Sequence, residues 1–289
     1  MLVKGLTVTI IFEAESANYG EGVGNIAVLK KLSRENGNQY TYISRQAIRY
    51  NMGEQFGEEK ANTEAIGKGK TVVQFSPKTT IKDYPELDFF GYLKTEGEKM
   101  AKKRSAIVRL SNAVSTETFK GDLDFLTNIE LASRANAKPS IAQAEIHKSY
   151  YIYTITIDLD QIGIDKNDNI ELPKEEKSRR VEKLLDTIAF LYRDIRGRRE
   201  NLAPLFVIGG VYNIKNPIFE NLVKVKDNKV LVQDIVSGIF ENMKKDTSCG
   251  VVEGKFDNTQ EIKDTLNSTT VPKFFDQLKA KVREYYEIN

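Results

Sequence analysis

Cysteine and histidine are nearly missing from this 289-residue chain, which has one of each. A lone Cys249 excludes an intramolecular disulfide and a thiolate metal cluster, and it suits a reduced thiol in a cytoplasmic protein. A lone His147 leaves little for proton transfer, and nothing suggests a group to orient it against Cys249 as a nucleophilic pair. Long apolar runs are missing too. Leu6 to Phe12 is too short to span a bilayer and is followed at once by Glu13 and Glu15, so we read a first strand, no signal peptide and no membrane partner. No repeat period is visible, and the one nucleotide-loop likeness fails: Gly67-Lys-Gly-Lys-Thr71 needs a glycine where Glu64 stands. We expect no cofactor and no metal. Charge of one sign is also absent. The net charge is +2 with a pI near 8.3, so a polyanion would have to be held by a local patch. Residues 111–172 hold five Lys/Arg against ten Asp/Glu, and residues 173–200 hold nine against six, so an anion track should avoid the first region and favour the second.

What is present centres on Tyr40-Thr-Tyr-Ile-Ser-Arg-Gln-Ala-Ile-Arg49, where an apolar strand-like run gives way to a helix. Ser44 is a good N-cap, and Ala47, Ile48 and Met52 supply helix formers and an apolar side. Arg45 and Arg49 then fall one turn apart. A cation in the first turn opposes the helix dipole and the two like charges repel, each effect costing roughly a few tenths of a kcal/mol. A bound phosphate reverses both penalties. Free amides, a hydroxyl and two guanidinium forks describe an anion site; the alternative is a solvated polar face.

Along the chain, Leu6, Val8, Ile10 and Phe12 alternate in a buried strand, and the loop Asn18-Tyr-Gly-Glu-Gly-Val-Gly-Asn25 allows close backbone approach or simply flexes. Asn36-Gly-Asn38 turns the chain, and Gly53 to Lys70 reads as a polar, mobile excursion. Asp88-Phe-Phe-Gly-Tyr-Leu93 is an apolar patch leading to Lys99, Lys102, Lys103 and Arg104. Ser105 to Leu110 reads as a strand with Arg109 facing away from the core. Residues 112 to about 146 read as an inserted hairpin or lobe, and Tyr151 to Leu159 as the clearest strand, where Tyr151 and Tyr153 share a face with Ile155 and Ile157 and pack in the core or else stack bases. A helix follows, with Val181, Leu184, Leu185, Ile188, Leu191 and Ile195 as its stripe and Gly197 as its cap. Pro204 to Ile208 is the next strand; later strands are expected at 223–232 and 250–256 and helices at 234–243 and 271–286.

The major elements, at 6–12, 44–52, 105–110, 151–159, 174–196 and 204–208, spell an α+β fold with the βαββαβ order of ferredoxin-like and RNA-recognition palms. We expect one domain over 1–289, with insertions at about 53–103 and 112–148 and a C-terminal extension at about 212–289. The aromatic signature of RNA-recognition domains is absent, so RNA would be held by its backbone.

These residues resemble a known family, the DevR-type backbone subunit of CRISPR type I (I-B-like) Cascade surveillance complexes. The likeness is strongest at Tyr42-Ile-Ser-Arg-Gln-Ala-Ile-Arg49, similar to that family's serine-x-glutamine-x-x-basic helix start. It extends to the loop residues Asn18, Gly22, Gly24 and Asn25, to Asp88-Phe-Phe-Gly91, to Arg104 through Ala113, and to Glu145-Ile-His-Lys-Ser-Tyr150. Arg45 replaces the family's second serine, and Tyr50 its last basic residue. The resemblance implies a non-enzymatic RNA-binding subunit in which helix start, first loop and an inserted thumb hairpin hold a guide RNA (crRNA). Its implied contacts are Asn18, Asn25, Ser44, Arg45, Gln46, Arg49, Arg104, Arg109 and Asn112. Its implied partners are crRNA, target DNA through the guide, other copies of itself and other Cascade subunits. From the residues alone, Arg193, Arg196, Arg198 and Arg199 are a second candidate RNA contact or an exposed helix end, with Arg198 and Arg199 the chosen pair.

The enzymatic alternative is an RNA-cleaving subunit like those of type III complexes, which use an aspartate after the first strand. The first aspartate here is Asp83, and Glu13, Glu15 and Glu21 are longer carboxylates that do not obviously substitute. Asp122 and Asp124 lie in the insert, where a turn and surface role is expected.

Overall fold

The computed structural model describes residues 3–15, 17–20, 22, 24–34, 37–67, 69, 72–95 and 101–288. The expectations at Glu21, Val23, Asn36, Lys68, Lys70, Thr71 and Lys99 fall outside them. Eight strands form the main sheet: β1 Gly5–Ala14, β2 Lys31–Arg34, β3 Asn38–Ile43, β4 Val108–Leu110, β5 Ala113–Ser115, β6 Ser149–Asp158, β7 Phe206–Tyr212 and β8 Thr247–Val251. Their order is β8-β7-β1-β6-β5-β3-β2, with β4 also on β6. Every pair is antiparallel. β1 and β6 run in register from Gly5↔Asp158 to Ala14↔Ser149 at the centre, which is why both their faces are buried, as central strands with two covered faces require.

Helices α1 Arg45–Gln55, α2 Lys174–Ala189 and α3 Val271–Tyr286 cover one face. Ile48 and Met52 of α1, Leu184 and Ile188 of α2 and Phe274 and Leu278 of α3 meet Leu6, Val8, Ile10 and Phe12 of β1 and Tyr151 and Tyr153 of β6 there. The opposite face carries Ile11, Phe206 and Ile208 beneath Phe219, Ile235, Met243 and Ile262. In chain order, β1, α1, β4 with β5, β6, α2 and β7 follow one another, with β2 and β3 added between β1 and α1, and the fold is α+β.

Several boundaries differ from the sequence reading. The strand expected at 105–110 is Val108–Leu110, and it resumes as Ala113–Ser115. Between the two pieces, Ser111 Oγ accepts the Thr154 amide at 2.9 Å, leaving the Asn112 side chain to point elsewhere. The long helix ends at Ala189 and not at 196. Tyr192–Ile195 pairs with Arg198–Asn201, and Arg196 and Gly197 both take positive φ, the condition for the tight turn of a two-residue hairpin. Gly197 is therefore a hairpin residue and not a helix cap. Gly53 belongs to α1, which runs two residues past it. Residues 223–232 hold only the short pair Val225–Lys226 and Lys229–Val230, and the helix expected over 234–243 is Val232–Gly238 and Glu241–Lys244. The strand expected at 250–256 is Thr247–Val251, and within the C-terminal extension β8 joins the main sheet and α3 the main core.

The first insertion is a lobe with a small core of Ala61, Ile81, Leu87 and Tyr92. The second is a hairpin, Asp122–Thr127 with Ile141–Ile146, carrying the helix Ile129–Arg134 near its tip.

Candidate functional site

The start of α1 is built by side chains from far along the chain. Ser44 has extended backbone, and its Oγ accepts the Ala47 amide at 3.3 Å. Asn18 Oδ1 accepts both the Ser44 hydroxyl at 2.7 Å and the Ser44 amide at 3.2 Å. Asn112 Oδ1 accepts the Arg45 amide at 2.9 Å. The expectation of free first-turn amides is thus corrected: the Arg45 and Ala47 amides are taken, and the Gln46 amide has no acceptor among the described residues. Asn18 and Asn112 fix the helix start, each with its carbonyl oxygen committed.

Arg45, Gln46 and Arg49 line one wall of a groove whose other residues are Phe90, Ala106, Val108, Arg109 and Leu110. Four of the sequence-predicted residues therefore converge. Arg45 and Arg49 have no ion-pair or hydrogen-bond partner for their guanidinium groups among the described residues, in contrast to Arg104, Arg180, Arg193 and Arg198. Arg49 Cζ sits 4.3 Å from the Phe90 ring centroid, and burial lowers its pKa against the opposing pull of Glu86. Arg109 reaches Asp158 at 2.9 Å, with half its side chain exposed. Phe90 was the miss: the sequence shows it inside Asp88-Phe-Phe-Gly91, yet spacing gives no sign that Phe89 turns inward while Phe90 edges the groove.

The other predicted residues lie elsewhere. Arg104 is turned inward, where its guanidinium is committed to protein partners. Its Nη2 pairs with Asp88 Oδ1 at 2.6 Å and its Nη1 donates to the Ile164 carbonyl. Asp88 is fully buried and also receives Arg180 at 3.2 Å and the Gly163 amide at 3.0 Å. That patch is consequently ionic at its centre. Gly91, at φ 71°, follows it where a Cβ would collide with the Arg104 carbonyl. Asn25 is exposed, and its carbonyl accepts the Gln143 amide at 3.3 Å. The loop after β1 is stitched to the hairpin insert: Ile26–Ala27 pairs with Gln143 and Ala144, and the Glu145 carboxylate takes the Leu29 amide at 2.8 Å and Lys31 at 2.7 Å.

Arg198 and Arg199 sit on the hairpin that replaces the helix end. Arg198 pairs with Glu15 at 2.8 Å and Glu200 at 3.1 Å, and Arg199 with Asp194 at 2.8 Å. With Glu13, Lys148 and Lys255 they line a second cleft of mixed charge. Burial pushes the Glu13 pKa up, but hydrogen bonds from Lys255 and Lys148 outweigh it and hold the carboxyl below its ordinary value. His147 is buried, its Nδ1 2.7 Å from Thr41 Oγ1, and burial lowers its pKa. Burial raises that of the Cys249 thiol. Among the described residues, no group of three or more His, Cys, Asp or Glu could hold a metal ion, and no helix is long and apolar enough to cross a membrane.

Comparison with known proteins places this geometry. A family model described as CRISPR-associated negative auto-regulator DevR/Csa2 matches residues 6–233, which include the whole groove. A CRISPR-associated protein Cas7/Cst2/DevR of Myxococcus xanthus (strain DK1622) is 27% identical over 158 residues, 48% of this chain and 52% of that protein. The chain thus aligns with about half the length of that curated relative. Among solved structures, a chain of a CRISPR RNA-guided surveillance complex, pre-nicking, has a TM-score of 0.63 at 12% identity, over 96% of this chain and 100% of that one. A chain of a second CRISPR RNA-guided surveillance complex has a TM-score of 0.58 at 13% identity, over 96% and 99%. At these identities the two structures share the fold.

Proposed function

Because the chain belongs to the DevR/Csa2 family of CRISPR-associated proteins, we propose that it is a non-enzymatic backbone subunit that binds guide RNA in a Cascade-type complex. Several copies line up along one guide and present it for pairing with target DNA, in company with other subunits of the complex. The observation that carries this reading is the convergence of Arg45, Gln46, Arg49 and Arg109 on one groove, with two guanidinium groups that have no ion-pair or hydrogen-bond partner among the described residues. Cations aimed at a sugar–phosphate backbone hold any sequence equally and leave base edges free. The hairpin insert supports self-assembly, since its Phe125, Leu126, Ile129 and Leu131 are each at least 61% exposed. Of the candidate carboxylates, Glu13 and Glu15 are each engaged by cations, which favours a binding role over RNA cleavage.

Purified protein is expected to carry a discrete small RNA, visible in its absorbance ratio and on extraction. Material free of RNA that also fails to bind added RNA would sink the proposal. Metal-stimulated cutting of complementary RNA, abolished by Glu13→Gln or Glu15→Gln, would replace it with the enzymatic reading.

A further inference from the structure

The groove beside α1 is built for more than phosphate. A site for phosphate alone needs donors and positive charge, which Arg45, Gln46 and Arg109 supply. Apolar Phe90, Ala106, Val108 and Leu110 line the rest of the groove, and they offer a phosphate nothing. Arg49 has the wrong setting for a pure phosphate clamp. It is half-buried, without a carboxylate or carbonyl partner among the described residues, and its guanidinium lies over the Phe90 ring at 4.3 Å. Arg49 lines the groove while its guanidinium carbon is held against that ring. Guanidinium planes and aromatic rings are the surfaces on which unpaired nucleobases stack, and such stacking tolerates every base.

We propose that Arg49, laid over Phe90, is a stacking platform for one nucleobase of the strand whose phosphates Arg45 and Arg109 hold, so that the groove is a nucleotide subsite and not only an anion site. This rests on the RNA-binding reading above and adds a second ligand group to it. Phe90 is the positioning residue: its ring holds the half-buried guanidinium at 4.3 Å. The strand is recognised without sequence preference, yet its bases count.

The test compares a short single-stranded oligoribonucleotide with an abasic sugar–phosphate strand of the same length, both fluorescently tagged, by anisotropy at several salt concentrations. Wild-type protein is expected to bind the intact strand about tenfold tighter than the abasic one. Arg49→Lys keeps the charge but removes the plane, so it should erase that ratio while the salt slope on the abasic strand stays as in wild type. Phe90→Leu should shrink the ratio in the same direction. Equal binding of the two strands by wild type, or a ratio that survives Arg49→Lys, overturns the platform and leaves the phosphate reading standing. Failure of both strands to bind overturns the two together.

Discussion

The Ser44 hydroxyl lies 2.7 Å from Oδ1 of Asn18, so the loop after β1 and the start of α1 form one hydrogen-bonded unit. Asn18→Ala removes an acceptor for two donors and should cost about 1–2 kcal/mol of stability. Asn18→Asp keeps the acceptor and places a negative charge by the positive end of the helix, so it should hold the stability while weakening RNA binding several-fold. Denaturant unfolding and RNA titration of the two variants separate the roles. Equal affinity of Asn18→Asp and wild type would place the strand away from this helix start.

Two arginines that look alike in sequence should fail in opposite ways. Arg45→Ala should leave folding intact, weaken unrelated RNA sequences alike, and reduce the log–log salt slope by about 0.7, the share of one single-strand phosphate. Arg104→Ala strips one of two arginines from the fully buried Asp88 and should destabilise by about 3–5 kcal/mol. An Arg104→Ala protein of normal stability that lost RNA binding would contradict the buried ion pair.

His147 gives a pH dependence whose sign can be worked out. Burial holds its folded pKa below the ordinary 6.5, so below that pH the unfolded chain takes up a proton that the folded chain refuses. Stability is therefore fully present above 6.5 and declines as pH falls toward the folded value. His147→Gln should lose less denaturant resistance than wild type between about pH 7 and pH 5.5. A steeper loss in the variant would refute the burial effect.

The hairpin strand Asp122–Thr127 is exposed on both faces, and Phe125 and Leu126 keep most of their surface outside the core. Phe125→Asp with Leu126→Asp should change stability by no more than about 0.5 kcal/mol each, yet abolish RNA-dependent association of copies in sedimentation or mass measurements. Unchanged assembly would move the contact between copies elsewhere.

Much of this was legible because it depends on local pattern. The alternation in β1 and β6, the Ser44 cap and the order of the six palm elements are set by neighbours in sequence. Residues 191–201 misled for a physical reason: Leu191 and Ile195 continue the helical spacing, while the turn at Arg196 and Gly197 and the Arg193–Glu200 ion pair across it act against the helix. Arg45, Gln46 and Arg49 share a groove with Arg109 because helical and strand spacing, readable in the sequence, sets which way each side chain points. The pairing of Arg104 with Asp88 was not legible because only tertiary structure brings the two together, and neither was the contact between Arg49 and Phe90.

Glu145 sits on the hairpin insert, yet its carboxylate holds Leu29 and Lys31, and the same loop carries Asn18 against Ser44. If the helix start meets the guide as proposed, a neighbouring copy that immobilises the hairpin would also stiffen it, and a second copy would find part of its ordering entropy already removed. Growth along RNA should then be contiguous, favouring fully coated guides and bare ones over guides dotted with isolated subunits.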